Sequence, residues 1–484
     1  MKMLRLYRWR VRAMKQHLFQ MMSENEQTYE KIARDIWEHP QVGYEETYAF
    51  SLQKDFLGNE GFRITTNVGD VQTAFVAEWG TGGPIIGFLG EYDALPGLSQ
   101  QDQPTYAPFV EGGAGHGCGH NLLGTASIEA VVALKQLMSE QNIKGTIRYY
   151  GCPAEELLSG KSYMARAGVF NDLDIVYSWH PGTFNITVNS SMQALTAIEF
   201  FFKGRTAHAA AAPHLGRSAL DGVELMNVGA NYMREHVPDG TRIHYQITNG
   251  GSAPNIVPEE ASVYYFLRGA TRKAVDELQH RLINIAEGAA LMTETSVHYK
   301  ISSACYDSLP NMTLNTLMFE QWKELPPLTY TVEERSFAEQ LSKSIDPSVM
   351  AGAKQQLQML GGNPNEILLT DTYNFPQMFR QSSPGSSDLG DVSWIAPLGQ
   401  VLVTCAPLGV QVHTWQATAS FGTTVGMKGM HYAAKTMAGA ALDTLLNPDI
   451  IAKAKEEFNQ SRGGLQYKCA IPEDVKAPKP TKAK

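Results

Sequence analysis

Cysteine and histidine lie two positions apart at Cys118 and His120, within the glycine-rich segment GHGCGH of residues 115–120. In extended backbone, residues two apart point to the same side, so this thiol and this imidazole can bind one metal ion. The flanking glycines let the backbone approach a bound ion closely. The spacing therefore predicts half of a metal site, which needs further ligands from elsewhere in the chain.

Three other segments carry side chains that could complete such a site. Glu155 and Glu156 are adjacent, and two neighbouring carboxylates repel each other unless a cation or a shared proton compensates. His180 follows an apolar run, and His413 lies between valine and threonine. On its own, each signal has a simpler interpretation: a solvated acidic corner for the glutamates, a packed imidazole for either histidine. The prediction depends on these residues converging.

The first half of the chain alternates strands and helices. The pattern predicts a helix over 122–138 and strands over 71–79, 84–89, 146–150 and 174–179, the first two of them paired. The last three strands run into titratable residues, at 91–93, 155–156 and 180. Open α/β sheets build their sites at the carboxyl ends of their strands, so the sequence predicts one cleft at this edge.

The middle of the chain changes to the order strand, helix, strand, strand, helix, strand, which is the split ferredoxin-like unit. We expect an inserted domain over 192–304, between two parts of a first domain at 23–191 and 305–465. The fold class is thus α/β: a mixed central sheet flanked by helices, plus an inserted βαββαβ domain. Beyond the insertion the pattern predicts helices within 311–323 and 333–360, a loop over 375–390 and a strand over 401–405.

The two ends of the sequence differ from the rest. Residues 1–22 carry lysine and arginine but no acid, and they lack the apolar region of a secretory signal. We expect a basic extension without a catalytic role, and order beginning at Ser23, which has the spacing of a capping box with Glu26. Residues 466–484, rich in lysine and proline, are expected to form a loose tail.

Composition excludes several classes of protein. The 484 residues leave room for two to four domains, at roughly 100 to 200 residues each. Forty basic against 49 acidic side chains give a net charge of −9, so we expect no nucleic-acid partner. No uninterrupted apolar run reaches the roughly 18 residues that span a bilayer, so no membrane partner is expected. Five scattered cysteines favour reduced thiols and a cytoplasmic location.

From Ser23 onward, nearly the whole chain resembles the M20 metallopeptidase and amidohydrolase family in the order and spacing of its motifs. These motifs are residues 90–96 (GEYDALP), 116–121 (HGCGHN), 153–156 (PAEE), 179–181 (WHP), 204–210 (GRTAHAA) and 412–415 (VHTW). The resemblance implies a catalytic domain with an inserted lid and dimerisation domain. It also implies hydrolysis of an amide bond with two divalent ions per subunit, Mn²⁺ or Zn²⁺.

The resemblance further implies a role for each motif residue. The metal ligands would be Cys118, His120, Glu156, His180 and His413. Glu155 would be the general base that takes a proton from water and returns it to the leaving amine. Asp93 would orient the metal site. His208 of the lid would donate a hydrogen bond to the oxyanion in the active site of the partner subunit.

The lid also offers candidates for binding the substrate. Asn255 and Arg268 match family positions that bind the substrate carboxylate or lie close to it, and a guanidinium can hold a carboxylate by two parallel hydrogen bonds. The alternative for Arg268 is a surface ion pair. Arg217 is a second candidate for the same task. No role is implied for Asp388 or Asp391.

Two departures from the family pattern bear on specificity. Peptidases of the family have His-x-Asp where residues 91–93 read EYD, so Glu91 supplies no imidazole there. A cysteine at the position of Cys118 is typical of the amidohydrolase branch of the family. Aspartate is common in that branch at the position where this chain has Asn121. Within that branch, residues 213–221 and 390–394 favour p-aminobenzoyl-glutamate, a product of folate breakdown, as the substrate.

The expected function is therefore a cytoplasmic amidohydrolase of N-acyl or N-aroyl amino acids. It would act as a homodimer or as a heterodimer with a related A-type subunit. Two alternatives stay open. One is an aminoacylase or dipeptidase of other specificity, and the other is a noncatalytic subunit that lends His208 to a partner chain.

Overall fold

The computed structural model describes residues 2–374 and 382–481. In this part the helices are α1 (Lys2–Glu24), α2 (Glu26–Glu38), α3 (Thr47–Asn59), α4 (His120–Gln141), α5 (Gly160–Arg166), α6 (Ala219–Met233), α7 (Arg272–Thr293), α8 (Met312–Trp322), α9 (Val332–Ser342), α10 (Pro347–Met359), α11 (Leu389–Ser393), α12 (Trp415–Phe421), α13 (Thr424–Leu446) and α14 (Pro448–Arg462). The strands are β1 (Arg63–Thr66), β2 (Phe75–Thr81), β3 (Ile85–Glu91), β4 (Gly145–Cys152), β5 (Ile175–Gly182), β6 (Asn185–Thr187), β7 (Ala194–Lys203), β8 (Arg242–Asn249), β9 (Glu260–Gly269), β10 (Ser296–Cys305), β11 (Thr372–Tyr373) and β12 (Leu398–Thr404).

Eight strands form a mixed sheet in the order β1-β2-β4-β3-β5-β12-β6-β11. Its centre, β4-β3-β5-β12, is parallel, and α4 and α13 pack on each other over this region as part of one apolar core. The parallel strands are buried almost throughout, as expected where helices cover a sheet. The predicted fold class is confirmed.

The predicted pairing of β2 with β3 is wrong, because β4 lies between them and pairs with both. β4 is buried along nearly its whole length, which suits a central strand, whereas β3 leads through the long crossover containing α4 to a parallel neighbour. Strand order in a sheet is set by such distant contacts, and nothing in the local pattern of residues 71–89 reveals it.

The inserted unit forms a separate four-stranded antiparallel sheet in the order β10-β7-β9-β8. In chain order the elements run β7, α6, β8, β9, α7, β10, and the two helices pack together against this sheet. This is the ferredoxin-like arrangement that the sequence predicts. The limits of 192–304 for a separately folded domain stay a prediction.

The expectation that order begins at Ser23 is wrong. α1 runs through Ser23 to Glu24, and its side chains Leu18 and Met22 are buried against the main core. The capping box does not form, since Ser23 lies inside α1 and Lys435 donates hydrogen bonds to both the Ser23 hydroxyl and the Glu26 carboxylate. Burial of the apolar side of α1 outweighs the local capping signal.

The C-terminal segment is also ordered as far as residue 481, contrary to the expected loose tail. Ile471 and Ala477 are buried. Tyr467 donates a hydrogen bond of 2.6 Å to Asp391 Oδ1, and Arg166 donates one of 2.7 Å to the Pro472 carbonyl. These tertiary contacts anchor a segment whose composition alone suggests disorder.

The segment 333–360 in the second half of the first unit is partly helical, as predicted. It contains two helices, because Asp346 caps a new start at Pro347. Of the predicted loop at 375–390, residues 375–381 lie outside the described part, 382–388 are irregular and 389–390 begin α11.

By length and composition α4 is sufficient to span a bilayer, but 78% of its most apolar window is buried inside the protein. Such burial is typical of the central helix of a globular core.

Candidate metal centre

Four neighbouring elements deliver the predicted site residues to one edge of the large sheet. β3 ends at Glu91, β4 leads directly into the short turn that carries Glu155 and Glu156, and His180 lies near the end of β5. These strands are parallel, so their carboxyl ends meet. α4 begins at His120 on the same side. The strand-end residues therefore converge at one edge of the sheet, as predicted.

His413 reaches this edge from the loop after β12. Its backbone is left-handed, with φ of 63°, and its N–H donates a hydrogen bond of 2.8 Å to the Gly117 carbonyl. A Cβ at Gly117 would lie 2.5 Å from the Leu98 side chain and 3.5 Å from His413 Cα, so a larger residue would displace Leu98. The loop thereby places an imidazole beside Cys118.

The five predicted ligands form two groups that share the Cys118 thiol. One group is Cys118, His120 and His180, and the other is Cys118, Glu156 and His413, with the ligand atoms of each group within 4.8 Å of one another. Cys118 Sγ lies 3.4 Å from His180 Nε2. Glu156 Oε2 lies 3.3 Å from His413 Nε2. The geometry suits two adjacent ions bridged by one sulfur.

The residues fit divalent ions on three counts. Donors about 2.0 to 2.3 Å from one ion lie roughly 3.0 to 3.6 Å apart, as these pairs do. His120 Nε2 and Glu156 Oε1 are buried without a hydrogen-bond partner in the described structure, although buried polar atoms nearly always have one. Burial, reinforced by Glu156, raises the pKa of the Cys118 thiol well above its usual range. A thiolate here therefore needs a cation.

Asp93 orients two of the ligands. Its Oδ1 lies 2.8 Å from His120 Nδ1, and its Oδ2 accepts a hydrogen bond of 2.8 Å from the Glu156 N–H. With Nδ1 engaged, the free nitrogen of His120 is Nε2, which faces the other ligands. A carboxylate in this position fixes both the tautomer and the ring orientation of a metal-binding histidine.

The adjacent glutamates are in different electrostatic environments. Burial and the carboxylates of Glu91 and Glu156 raise the pKa of Glu155 well above its ordinary value, although Lys161 opposes this. Burial also acts to raise the pKa of Glu156, but hydrogen bonding to His413 and the charge of His120 outweigh it, so this pKa is lowered. Before any cation binds, the pKa values of the two adjacent carboxyls are thus shifted in opposite directions, a division typical of acid-base pairs.

Sequence reasoning missed a buried charged group behind these ligands. Lys161 Nζ lies 2.6 Å from Glu91 Oε1 and 2.5 Å from Asp388 Oδ1. The Lys161 N–H donates to Asp388 Oδ2 at 2.7 Å, and Glu91 Oε2 lies 3.2 Å from His120 Nε2. The one available signal was a lysine next to glycine at the start of a helix, five residues after the acid pair. Such a lysine usually lies on the surface.

The predicted lid residues do not join the ligands in this chain. His208 and Asn255 are exposed, and no hydrogen bond or ion pair in the described ranges links them to the five ligands. Arg268 is half-buried and donates to Ser386 Oγ at 2.7 Å, with no acid bonded to it in the described part. Arg217, by contrast, is in an ion pair with Glu294 at 2.8 Å.

The fold and this ligand set agree with the comparisons with known proteins. The pattern of the peptidase dimerisation domain matches residues 193–293. One relative is 39% identical over 469 residues, which are 94% of this chain and 97% of the relative. The chain therefore belongs to the M20 family of metallopeptidases and amidohydrolases.

That relative is the B-type subunit of p-aminobenzoyl-glutamate hydrolase from Escherichia coli (strain K12). A second, Xaa-Arg dipeptidase of Mus musculus, is 27% identical and spans 88% of each chain. Among solved structures, a dinuclear metal binding peptidase from the M20 family of Bacillus subtilis has a TM-score of 0.55 and 18% identity. The match spans 88% of this chain and 99% of that one, and it shows the shared fold.

Proposed function

We propose that this chain hydrolyses the amide bond of p-aminobenzoyl-glutamate, or of a closely related N-aroyl or N-acyl amino acid, in the cytoplasm. The observation that carries the proposal is the convergence of five ligands in two groups that share Cys118, beside the buried carboxyl of Glu155. The 39% identity with the Escherichia coli hydrolase supports the choice of substrate. The five free cysteines support the location.

Cys118, His120 and His180 would hold one divalent ion, and Cys118, Glu156 and His413 a second. The Bacillus subtilis relative is a dinuclear metal binding peptidase, which supports two ions. The mixed sulfur, nitrogen and oxygen donors suit Zn²⁺ or Mn²⁺. When bound, the ions would activate water and polarise the amide carbonyl.

The residues of the chain itself would move and position the proton. Glu155 takes a proton from water at a carboxylate oxygen and returns it to the nitrogen of the leaving amine, because an amine anion is too poor a leaving group. Its position supports this task, since Glu155 is buried in the centre with Oε2 3.9 Å from His120 Nε2. Asp93 keeps His120 and the Glu156 backbone in place throughout.

His208 would complete the site across a dimer. Its Nδ1 accepts hydrogen bonds from the backbone N–H groups of Ala210 and Ala211, at 3.2 and 3.1 Å. The ring proton therefore lies on Nε2, which is free to donate to an oxyanion. Because His208 is exposed and has no hydrogen bond or ion pair with the ligands of its own chain in the described residues, the recipient would be a second chain. That chain would be either another copy or a related A-type subunit. The A-type choice is supported because both the A-type and the B-type subunit of the Escherichia coli hydrolase are similar to this chain.

Asn255 and Arg268 would bind the side-chain carboxylate of the glutamate moiety, which the glycine and leucine conjugates lack. Besides the N–H that donates to Ser386, the Arg268 guanidinium has four further N–H groups, so it can still donate two parallel hydrogen bonds to a carboxylate. This assignment separates the proposal from the dipeptidase alternative, which the Mus musculus relative keeps open.

The test is to compare hydrolysis of the p-aminobenzoyl conjugates of glutamate, glycine and leucine by the purified, metal-loaded chain. Arg268→Ala should raise KM for the glutamate conjugate more than tenfold and leave the leucine conjugate almost unchanged. Arg217→Ala is the matched control, since that arginine lies on the same lid but already pairs with Glu294. Equal losses for all three conjugates would contradict the carboxylate role. Activity only after addition of an A-type chain would favour the noncatalytic alternative.

A further inference from the structure

Three buried charged side chains, Glu91, Lys161 and Asp388, form a continuous chain behind the metal ligands. The side chain of Lys161 and that of Asp388 are fully buried, and that of Glu91 is 5% exposed. Lys161 Nζ lies within 2.6 Å of a carboxylate oxygen on each side. The reaction proposed above uses none of the three, although their contacts lead directly to His120.

The charges of this trio do not balance. The single ammonium of Lys161 faces two carboxylates, those of Glu91 and Asp388. An excess of negative charge away from water is costly unless a cation or a proton compensates. A cation bound next to Glu91 would balance this charge.

The second oxygen of Glu91 shows where that charge belongs. Glu91 Oε2 lies 3.2 Å from His120 Nε2, yet Nε2 has no hydrogen-bond partner in the described structure, so the two atoms are close without being aligned as donor and acceptor. Together with an oxygen of Glu155, they form a group of donor atoms within 4.8 Å of one another. Their separation falls within the roughly 3.0 to 3.4 Å expected of an oxygen and a nitrogen bound to one ion.

Lys161 and Asp388 explain why Glu91 stays in this position. Lys161 Nζ pairs with Glu91 Oε1, so the other oxygen, Oε2, is the one next to His120. Asp388 in turn holds Lys161 twice, through the ammonium and through the backbone N–H. Glu91 therefore has one oxygen fixed by protein and one free for an ion.

We propose that Glu91 gives a carboxylate oxygen to the divalent ion held by Cys118, His120 and His180, and that Lys161 and Asp388 position it. The inference rests on the two-ion centre of the proposed function and adds a sixth ligand to it. It makes the two ion sites unequal, with four protein donors at one and three at the other. A hard oxygen donor also shifts the first site toward Mn²⁺ relative to a site of sulfur and nitrogen alone.

The experiment measures metal binding rather than turnover. The full chain is stripped with a chelator and titrated with Mn²⁺ and with Co²⁺ by calorimetry, and the visible absorption of the Co²⁺ form is recorded. Glu91→Gln should weaken one of the two binding steps about tenfold or more, leave the other unchanged and alter the Co²⁺ bands. The metal-free variant should melt at the same temperature as the wild type or higher, because its trio is then electrically neutral.

Glu129→Gln is the matched control. Glu129 is a fully buried carboxylate on α4, the helix that begins at His120, but its partner is His431. This variant should keep both binding steps and the Co²⁺ spectrum of the wild type. An unchanged isotherm and spectrum in Glu91→Gln would overturn the proposal.

Lys161→Gln provides a second, independent variant. Loss of the ammonium alone makes the pocket more negative and would tighten metal binding, whereas loss of the support for Glu91 weakens the same step that Glu91→Gln weakens. Weaker binding at that step is expected, and tighter binding would overturn the positioning role. A wild-type chain that binds fewer than two ions would instead contradict the two-ion centre, so the two failures are distinguishable.

Discussion

At the scale of single residues, the candidate site depends on carboxylates that lie close together but have different partners. Asp93 engages His120 Nδ1 and the Glu156 N–H with its two oxygens. Among the described residues, the Glu155 carboxylate has no hydrogen bond of this kind, and its ion-pair contact is with His120 Nε2 at 3.9 Å. The contacts with His120 therefore distinguish Asp93, which orients the ring, from Glu155, which does not.

Asp93→Asn should weaken metal binding by about 10- to 100-fold. The amide can no longer accept from both neighbours as a charged carboxylate does, so His120 loses its fixed tautomer. Calorimetric titration of the metal-free chain measures the change. Asp391→Asn is the control, because that buried carboxylate contacts Tyr467 and Ser162 rather than a ligand. Equal affinities in the wild type and Asp93→Asn would show that the contact is not an orienting one.

At the scale of elements, α2, α4 and α13 are joined by a buried ionic cluster. His431 Nδ1 lies 2.7 Å from Glu129 Oε2, and its Nε2 lies 3.7 Å from Glu30. Burial acts to lower the pKa of His431, but the two carboxylates outweigh it and raise the pKa to about 10. The imidazole is thus a cation that ties three helices together near neutral pH.

This cluster predicts a loss of stability at alkaline pH. Between the ordinary pKa near 6.5 and the folded value of about 10, the folded state holds a proton on His431 that the unfolded chain has released. The free energy of unfolding should therefore fall as pH rises through this window, by up to about 1.4 kcal/mol per pH unit. Urea unfolding of the wild type and of His431→Gln from pH 7 to 10 measures the difference. Parallel pH dependences in the two proteins would contradict the assignment.

At the scale of the whole molecule, the lid carries His208 away from the ligands of its own chain, so the proposed site is completed by a partner. A mixture of His208→Ala and Glu155→Ala chains tests this in a homodimer, since each mixed dimer contains one site with both residues intact. Activity should recover to about a quarter of the wild type, although each variant alone is inactive. No recovery after subunit exchange, or full activity of His208→Ala alone, would contradict a site shared between chains.

How much of the fold and of the site can be predicted from the sequence depends on how far apart the interacting residues lie in the chain. The candidate ligand residues could be named because each lies at a strand end or in a short motif that resembles the family pattern. The role of Lys161 could not be predicted, because it depends on the contact with Asp388, which is 227 positions away. The order of β2, β4 and β3 depends in the same way on distant pairing, and burial of α1 depends on contacts with α4 and α13.

The most direct test of the two-ion centre with one free carboxylate is metal content and turnover measured on the same samples. The wild-type chain should hold two divalent ions and hydrolyse p-aminobenzoyl-glutamate. Glu155→Ala should keep both ions and lose turnover by about 100-fold or more, whereas Glu156→Ala should also lose metal. A Glu155→Ala chain as active as the wild type would contradict the account.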